Sequence, residues 1–297
     1  MSSQQLKIGS FSYILGKNIY MSFTPVQRFK LLKLVKSDDT YDEFKHISLV
    51  RQIENYQKYY CIPEDESKLL STEDDFYKKL VKLVQERKLT MLSGPFQCHY
   101  IDYAGDENLQ QSIVSLGEPL DFKYWKSYKK ILKFVKNIMT AIQLLHNQKL
   151  CHLDIKPENI MVNTTMETYK LIDFGFTSLE PFDDYVSNVI YKTDYITRFF
   201  NDGVFSESMP KVEANDLVLE CGKYPMETDR SLVYKIDSYC LGRTLLLLKT
   251  QYKEHKAYYC YNGETTAETK LDTIIGSLLE SDCRKRPTIQ ECLEKYF

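Results

Sequence analysis

Apolar residues recur at three- and four-residue steps through Ile131, Phe134, Val135, Ile138, Ala141, Ile142 and Leu145, which predicts one long helix over 122–148. A second helical stripe, Phe44, Ile47, Val50 and Ile53, follows Ser/Asp capping residues and predicts a helix over 41–53. Further stripes run through 76–84 and 234–248. The shorter apolar runs have strand character. Residues 29–36 (FKLLKLVK) stop at the polar break SDDT, and 97–104 (QCHYIDYA) stop at Gly105-Asp106-Glu107. Residues 7–16 (KIGSFSYILG) read as an edge hairpin, and 161–172 (MVNTTMETYKLI) as two short strands joined by a polar turn. The stretch 59–93 is longer than a simple strand-to-strand connection, and its acidic first half reads as an exposed insertion.

Composition narrows the class without choosing a function. The chain has 297 residues, enough for one large domain or two lobes. It is 43% hydrophobic and 27% charged, as ordinary soluble globular proteins are. A formal charge of −2 gives no basic field to attract nucleic acid or an anionic membrane. Eight cysteines are scattered with no C-x-x-C pair, which argues against zinc and against a disulfide framework and for a reducing compartment. The first fifteen residues lack a basic region leading into a long apolar run, so no signal peptide is expected. The apolar run near 241–248 is interrupted by Gly242, Arg243 and Thr244, so no membrane span is expected either. These features together predict a soluble, intracellular, cytoplasmic protein.

The chemistry concentrates in Cys151 to Met161 (CHLDIKPENIM), followed twelve residues later by Asp173-Phe174-Gly175. Asp154 can accept a proton, and Lys156 sets a positive charge two residues away. Asn159 offers a neutral oxygen and Asp173 a charged one. A few oxygen ligands of this kind suit Mg²⁺ that is also held by phosphate oxygens. Phosphoryl transfer requires a group that orients the hydroxyl nucleophile and cations that neutralise the transferred group. A helix–loop–strand junction using polar residues for turn chemistry could produce one such octet, but two linked motifs at this spacing make that reading weak.

These motifs resemble those of the eukaryotic protein kinases, whose signature is H-R-D-L-x-x-x-N followed by D-F-G. Here the octet reads His152-Leu153-Asp154-Ile155-Lys156-Pro157-Glu158-Asn159. The lysine two residues after the aspartate is similar to the serine/threonine-directed members. The resemblance implies an α+β, bilobal fold in a single domain over 1–297. A small β-rich N-lobe with one main helix would occupy about 1–104, and a larger, mostly helical C-lobe about 105–297. It implies an ATP- and Mg²⁺-dependent serine/threonine protein kinase acting on a protein substrate, without nucleic-acid or membrane partners. Asp154 would be the catalytic base, Lys156 would stabilise the transferring phosphate, and Asn159 and Asp173 would hold Mg²⁺. The alternative is a pseudokinase serving as a binding or scaffold module.

Carried along the chain, the resemblance names further residues. Lys33 would hold the nucleotide phosphates, with Lys30 and Lys36 as competitors, and Glu43, or else Glu54, would pair with it. In the phosphate roof Lys7, Gly9 and Ser12 stand at the three glycine positions, so only Gly9 is kept. Asp102 to Ala104 would offer backbone groups to adenine. His152 would pack under Phe174 as a structural residue. Leu153 replaces an arginine that in many members receives an activating phosphate, so activation through that contact is not expected. Thr193 would contact Asp154 and Lys156, Glu227 of Tyr224-Pro225-Met226-Glu227 would pair with Arg286, and Asp237 would cap backbone amides of the catalytic loop. Compact length, abbreviated motifs and the lysine–tyrosine bias look like the kinases of large cytoplasmic DNA viruses, which would place the protein in host cytoplasm or virion.

Overall fold

The computed structural model describes residues 6–8, 11–13, 19–22, 30–36, 46–70, 78, 96–102, 107–109, 112, 124–125, 127–175, 177–179, 230–258, 265–280, 282 and 284–297. The chain divides into two compact units, one of residues 1–47 and 61–104, the other of 48–60 and 105–297.

The first unit is a six-stranded sheet. Strands β1 (Leu6–Ile8), β2 (Phe11–Tyr13), β3 (Ile19–Ser22), β4 (Lys30–Lys36), β5 (Pro63–Leu70) and β6 (Phe96–Asp102) lie in the order β1-β2-β3-β4-β6-β5, and every neighbouring pair is antiparallel. The apolar run 29–36 becomes the interior strand β4, flanked on both sides. The acidic stretch PEDESKLL, expected as an exposed insertion, is instead the edge strand β5, whose register shifts between Pro63 and Ser67. An edge position tolerates both Pro63 and the acidic run, and charge there discourages pairing with a further strand.

In the second unit, helix α1 (Ile47–Arg51), all but its first residue within the 48–60 segment, leads through a short 3₁₀ turn to Tyr60. The centre is helix α2 (Tyr128–Asn147), whose predicted stripe Ile131, Phe134, Val135, Ile138, Ala141, Ile142 and Leu145 is entirely buried. It begins later than the sequence pattern suggests. Ser127, extended at φ −161, accepts a hydrogen bond from the Lys130 N–H at 3.2 Å and caps the first turn. Upstream, Trp125 is buried edge-on to Phe134 and donates from Nε1 to Ser112 Oγ at 2.7 Å. Around α2 pack α3 (Tyr234–Tyr258), α4 (Thr265–Leu278), α5 (Ile289–Tyr296) and the short strands β8 (Leu150–Cys151) and β10 (Thr168–Leu171). The Tyr60 hydroxyl donates to the Ala141 carbonyl, tying the 48–60 segment to the middle of α2.

Arg286 is a core residue. Its guanidinium donates to the Glu280 carbonyl from Nε at 3.0 Å and Nη2 at 2.6 Å, and stacks 4.5 Å from the Tyr239 ring. Its expected partner Glu227 lies outside the described residues. No helix among the described residues is long and apolar enough to cross a membrane.

Gly242 sets the approach of α3 to α4. A Cβ there would come within 2.9 Å of Leu278 Cβ and of Leu279 Cδ2. Gly242→Ala is therefore expected to destabilise the protein by about 1–3 kcal/mol through overpacking, despite alanine's better helix propensity. A melting temperature equal to or above that of the wild type would contradict this close-packing account.

Candidate functional site

The site is built within the second unit by a loop, a 3₁₀ turn and a hairpin. Strand β8 ends at Cys151, residues 152–156 form the loop, and Pro157–Asn159 make a 3₁₀ turn that Pro157 can open without wasting an N–H. The chain then runs up β9 (Ile160–Asn163), which β7 (Glu107–Asn108) flanks on its other edge, and back down β10 in antiparallel register, Leu171 opposite Ile160. The Ile172 N–H donates to the Asn159 carbonyl at 3.0 Å, so Asp173 is returned beside the turn that carries Asn159. The twelve-residue spacing of the two motifs is thus the length of one hairpin.

Asp154, Lys156 and Asn159 form a buried knot. Lys156 Nζ donates to Asp154 Oδ2 at 2.8 Å and lies 3.1 Å from Oδ1. Asn159 Nδ2 donates to Asp154 Oδ2 at 2.7 Å and to the Asp154 carbonyl at 2.9 Å. Both hydrogens of that amide are committed to Asp154, which leaves Oδ1 as the atom able to meet a cation. Burial pushes the Asp154 carboxyl above its ordinary range, Lys156 opposes this, and the charge of Asp173 adds to it. A carboxylate raised in this way is a stronger base at neutral pH than a solvated one. The Asp173 carboxylate and the Asn159 amide oxygen are hard oxygen donors of the kind that fits Mg²⁺.

Beneath the knot, backbone strain is held by one buried acid. Leu153 has φ 62 and Asp173 φ 64. Aspartate tolerates the left-handed region, but a leucine there costs about 1–2 kcal/mol. Asp237, wholly buried in the first turn of α3, accepts from the His152 N–H at 2.9 Å and the Leu153 N–H at 2.7 Å. His146, from the last turn of α2, bonds the same carboxylate through Nε2 at 3.0 Å. Burial pushes the Asp237 carboxyl up, but His146 first, then His152 and the Leu153 N–H, outweigh it and hold it below its usual range. The amide-capping role expected of Asp237 matches these contacts, whereas His146 carried no signal beyond lying one position past the apolar stripe.

His152 is buried, its ring 5.1 Å from that of Phe174. Its Nε2 faces the Ile172 carbonyl at 3.2 Å and its Nδ1 accepts from the Asp154 N–H at 3.3 Å, the pattern of a neutral imidazole protonated on Nε2. Burial lowers its pKa accordingly. Tyr60 also meets the Phe174 ring, edge-on at 5.9 Å. Nothing in the sequence marks that contact across more than a hundred residues.

The remaining candidates are less fully placed. Lys33 sits in β4 opposite Ile19 and His99, with Lys30 and Lys36 at the ends of the same strand, and Asp102 closes β6. Glu54 lies between α1 and the 3₁₀ turn. Gly9, Glu43, Ala104 and Thr193 lie outside the described residues. Gly9 is nonetheless flanked by β1 and β2, whereas the strands beside β4 are β3 and β6. The hairpin adjoining the Lys33 strand is therefore β2–β3, which brackets Gly16.

Glu158, beside the knot, has a buried Oε2 that finds no hydrogen-bond partner among the described residues. Burial raises its pKa from 4.5 to about 7. Between those values the folded state holds a proton that the unfolded state has released, so its contribution to stability falls as pH rises through that window. Glu158→Gln is expected to flatten the fall in melting temperature between pH 4.5 and about 7 and to gain over the wild type at pH 8. Parallel curves for the two proteins would rule this out.

The protein kinase domain family model matches residues 99–198. Over 189 residues the chain is 42% identical to death-associated protein kinase 2 of human and of mouse, covering 61% of this chain and 48% of each relative. It is 29% identical over 164 residues to a calcium/calmodulin-dependent serine/threonine-protein kinase of Malus domestica, covering 54% of this chain and 36% of that protein. The chain thus spans about half the length, or less, of these relatives.

Proposed function

We propose that this chain, a eukaryotic-type protein kinase, transfers the γ-phosphate of ATP to serine or threonine hydroxyls of a protein substrate. The observation that carries the reading is the Asp154–Lys156–Asn159 knot, with Asp173 delivered to it by the β9–β10 hairpin. The matching fold would be a small β-rich lobe over about 1–104 and a larger, mostly helical lobe over about 105–297.

In this reading Asp154 accepts a hydrogen bond from the substrate hydroxyl, aims its oxygen at the γ-phosphorus, and takes its proton as the new P–O bond forms. The bond from the γ-phosphorus to the bridging oxygen breaks, and ADP leaves with that oxygen. Lys156, already 2.8 Å from the Asp154 carboxylate, stands beside the hydroxyl's position and offsets negative charge on the transferring group. Asn159 Oδ1 and the Asp173 carboxylate would hold Mg²⁺, which when bound neutralises charge on the phosphate oxygens. Lys33, paired with Glu43, would hold the α- and β-phosphates. Buried cysteines at 61, 151, 240 and 292 suit a reducing cytoplasm.

The test is phosphate transfer from radiolabelled Mg-ATP to a mixed basic and acidic protein substrate, followed by phosphoamino-acid analysis. Label on serine or threonine that Asp173→Ala abolishes supports the reading. Absence of transfer, with no Mg-ATP-dependent rise in melting temperature, would leave the chain as a binding module.

Leu153 bears on regulation. It is buried, with its backbone anchored by Asp237, so the position offers no cation to an activating phosphate. Strand β11 (Ser178–Leu179), just beyond Asp173-Phe174-Gly175, instead pairs antiparallel with β8. Phosphatase treatment is expected to leave transfer activity within about twofold, since no phosphate–arginine contact exists to be lost at this position. A collapse of activity that rephosphorylation restores would defeat this account.

A further inference from the structure

We propose that His146, Cys151 and Asp237 form a binding site for a zinc-class divalent cation beneath the catalytic loop, and that occupancy loosens that loop. The three side chains come from the end of α2, from β8 and from the start of α3, and their ligand atoms all lie within 4.8 Å of one another. Cys151 and Asp237 are fully buried, and the His146 side chain is 6% exposed. Around a tetrahedral zinc with bonds of about 2.0–2.3 Å, ligand atoms stand about 3.4 Å apart, so the widest gap closes by little more than 1 Å. Small side-chain rotations supply that.

The donor set selects the metal. One thiolate, one imidazole and one carboxylate suit a borderline-soft ion, whereas Mg²⁺ and Ca²⁺ take oxygen ligands. Excess Mg²⁺ with the nucleotide would therefore not compete. Binding releases the Cys151 thiol proton to solvent, shifts the His146 ring proton from Nε2 to Nδ1, and replaces the hydrogen bond between His146 and Asp237 with two bonds to the ion. His146 is the ligand nearest to solvent, next in the chain to exposed Asn147 and close to exposed Lys149. The sequence showed no paired cysteines and pointed away from zinc. This cluster is assembled only by the packing of α2, β8 and α3.

The consequence follows from what Asp237 already does. Its Oδ2 serves both His146 and the His152 N–H, and its Oδ1 serves the Leu153 N–H. An ion drawing Oδ2 away weakens the hold on His152 and on the strained Leu153 backbone, and so disturbs the aim of Asp154. This second step rests on the kinase reading, but the binding step does not.

The experiment titrates zinc into the full chain against a chromophoric chelator, beside Cys151→Ala and Cys151→Ser, and then assays phosphate transfer with Mg-ATP in excess. The wild type is expected to take one equivalent that both variants bind about 100-fold or more weakly, for want of the thiolate. Co²⁺ in place of zinc should give a thiolate charge-transfer band in the wild type alone. Zinc should inhibit the wild type reversibly and spare the variants, whose metal-free activity and melting curves establish that they fold. Equal zinc affinity in wild type and variants, or no stoichiometric binding, overturns the site. Binding lost in the variants while zinc leaves wild-type activity unchanged overturns the coupling to the loop. If no form of the chain transfers phosphate, the titration and the cobalt spectrum still decide the site.

Discussion

Asp154→Asn is expected to lower kcat by about 10²–10⁴-fold, the range for loss of a positioned general base, while Mg-ATP binding stays within about twofold. Asparagine keeps the shape of the side chain and can still accept from Lys156, so position is largely preserved and the proton acceptor is removed. Alanine would serve less well, because it strips both Lys156 and Asn159 of a partner they meet at 2.8 and 2.7 Å. The change also removes the buried charge that Lys156 neutralises, so a fall in melting temperature of a few degrees is expected alongside the kinetic loss. Nucleotide affinity, read from the Mg-ATP-dependent shift in melting temperature, separates the two effects. A variant that binds Mg-ATP normally and retains a tenth or more of kcat would remove Asp154 from the role of base.

The knot was legible in the sequence because it is local. Asp154, Lys156 and Asn159 lie within six residues, and one tight turn suffices to join them. Asp173 was legible because a hairpin of matching length separates it from the turn. The stripe of α2 was legible for a similar reason, since a 3.6-residue period needs no knowledge of what the helix packs on. Its start was not. That depended on Ser127 taking the cap while Tyr124 and Trp125 found aromatic partners as distant as Tyr169. Tyr60 against Phe174, and His146 against Asp237, are contacts between elements more than ninety residues apart, and no local pattern records them. The acidic run 63–70 was misread because charge was taken as a sign of a solvated loop, when an edge strand tolerates it equally well. Nor does a leucine at φ 62 announce itself, because the strain belongs to the anchored backbone and not to the residue type.

That anchoring yields the second large effect. Asp237→Ala is expected to destabilise the protein by about 3–5 kcal/mol, because it strands two buried backbone donors and the His146 ring, each unsatisfied donor costing about 1–3 kcal/mol. For a chain of this length the melting temperature should fall by about 10 °C. Asp237→Asn is the more informative change. An amide oxygen can still serve the Leu153 N–H, but the amide nitrogen then faces the His152 N–H, donor against donor. The fold should survive that clash better than the loop geometry does. The clash drives the His152 amide off the side chain and pulls the adjacent, strained Leu153, at φ 62, away from its own anchor. Released, it relaxes towards negative φ, recovers about 1–2 kcal/mol of strain, and turns Asp154 with it. The expected signature is a kcat well below wild type, a KM for ATP close to wild type, and a protein that is folded at 20 °C by circular dichroism. If Asp237→Asn melts lower but turns over at the wild-type rate while folded, Asp237 is only a core residue, and the strained loop is set by something else.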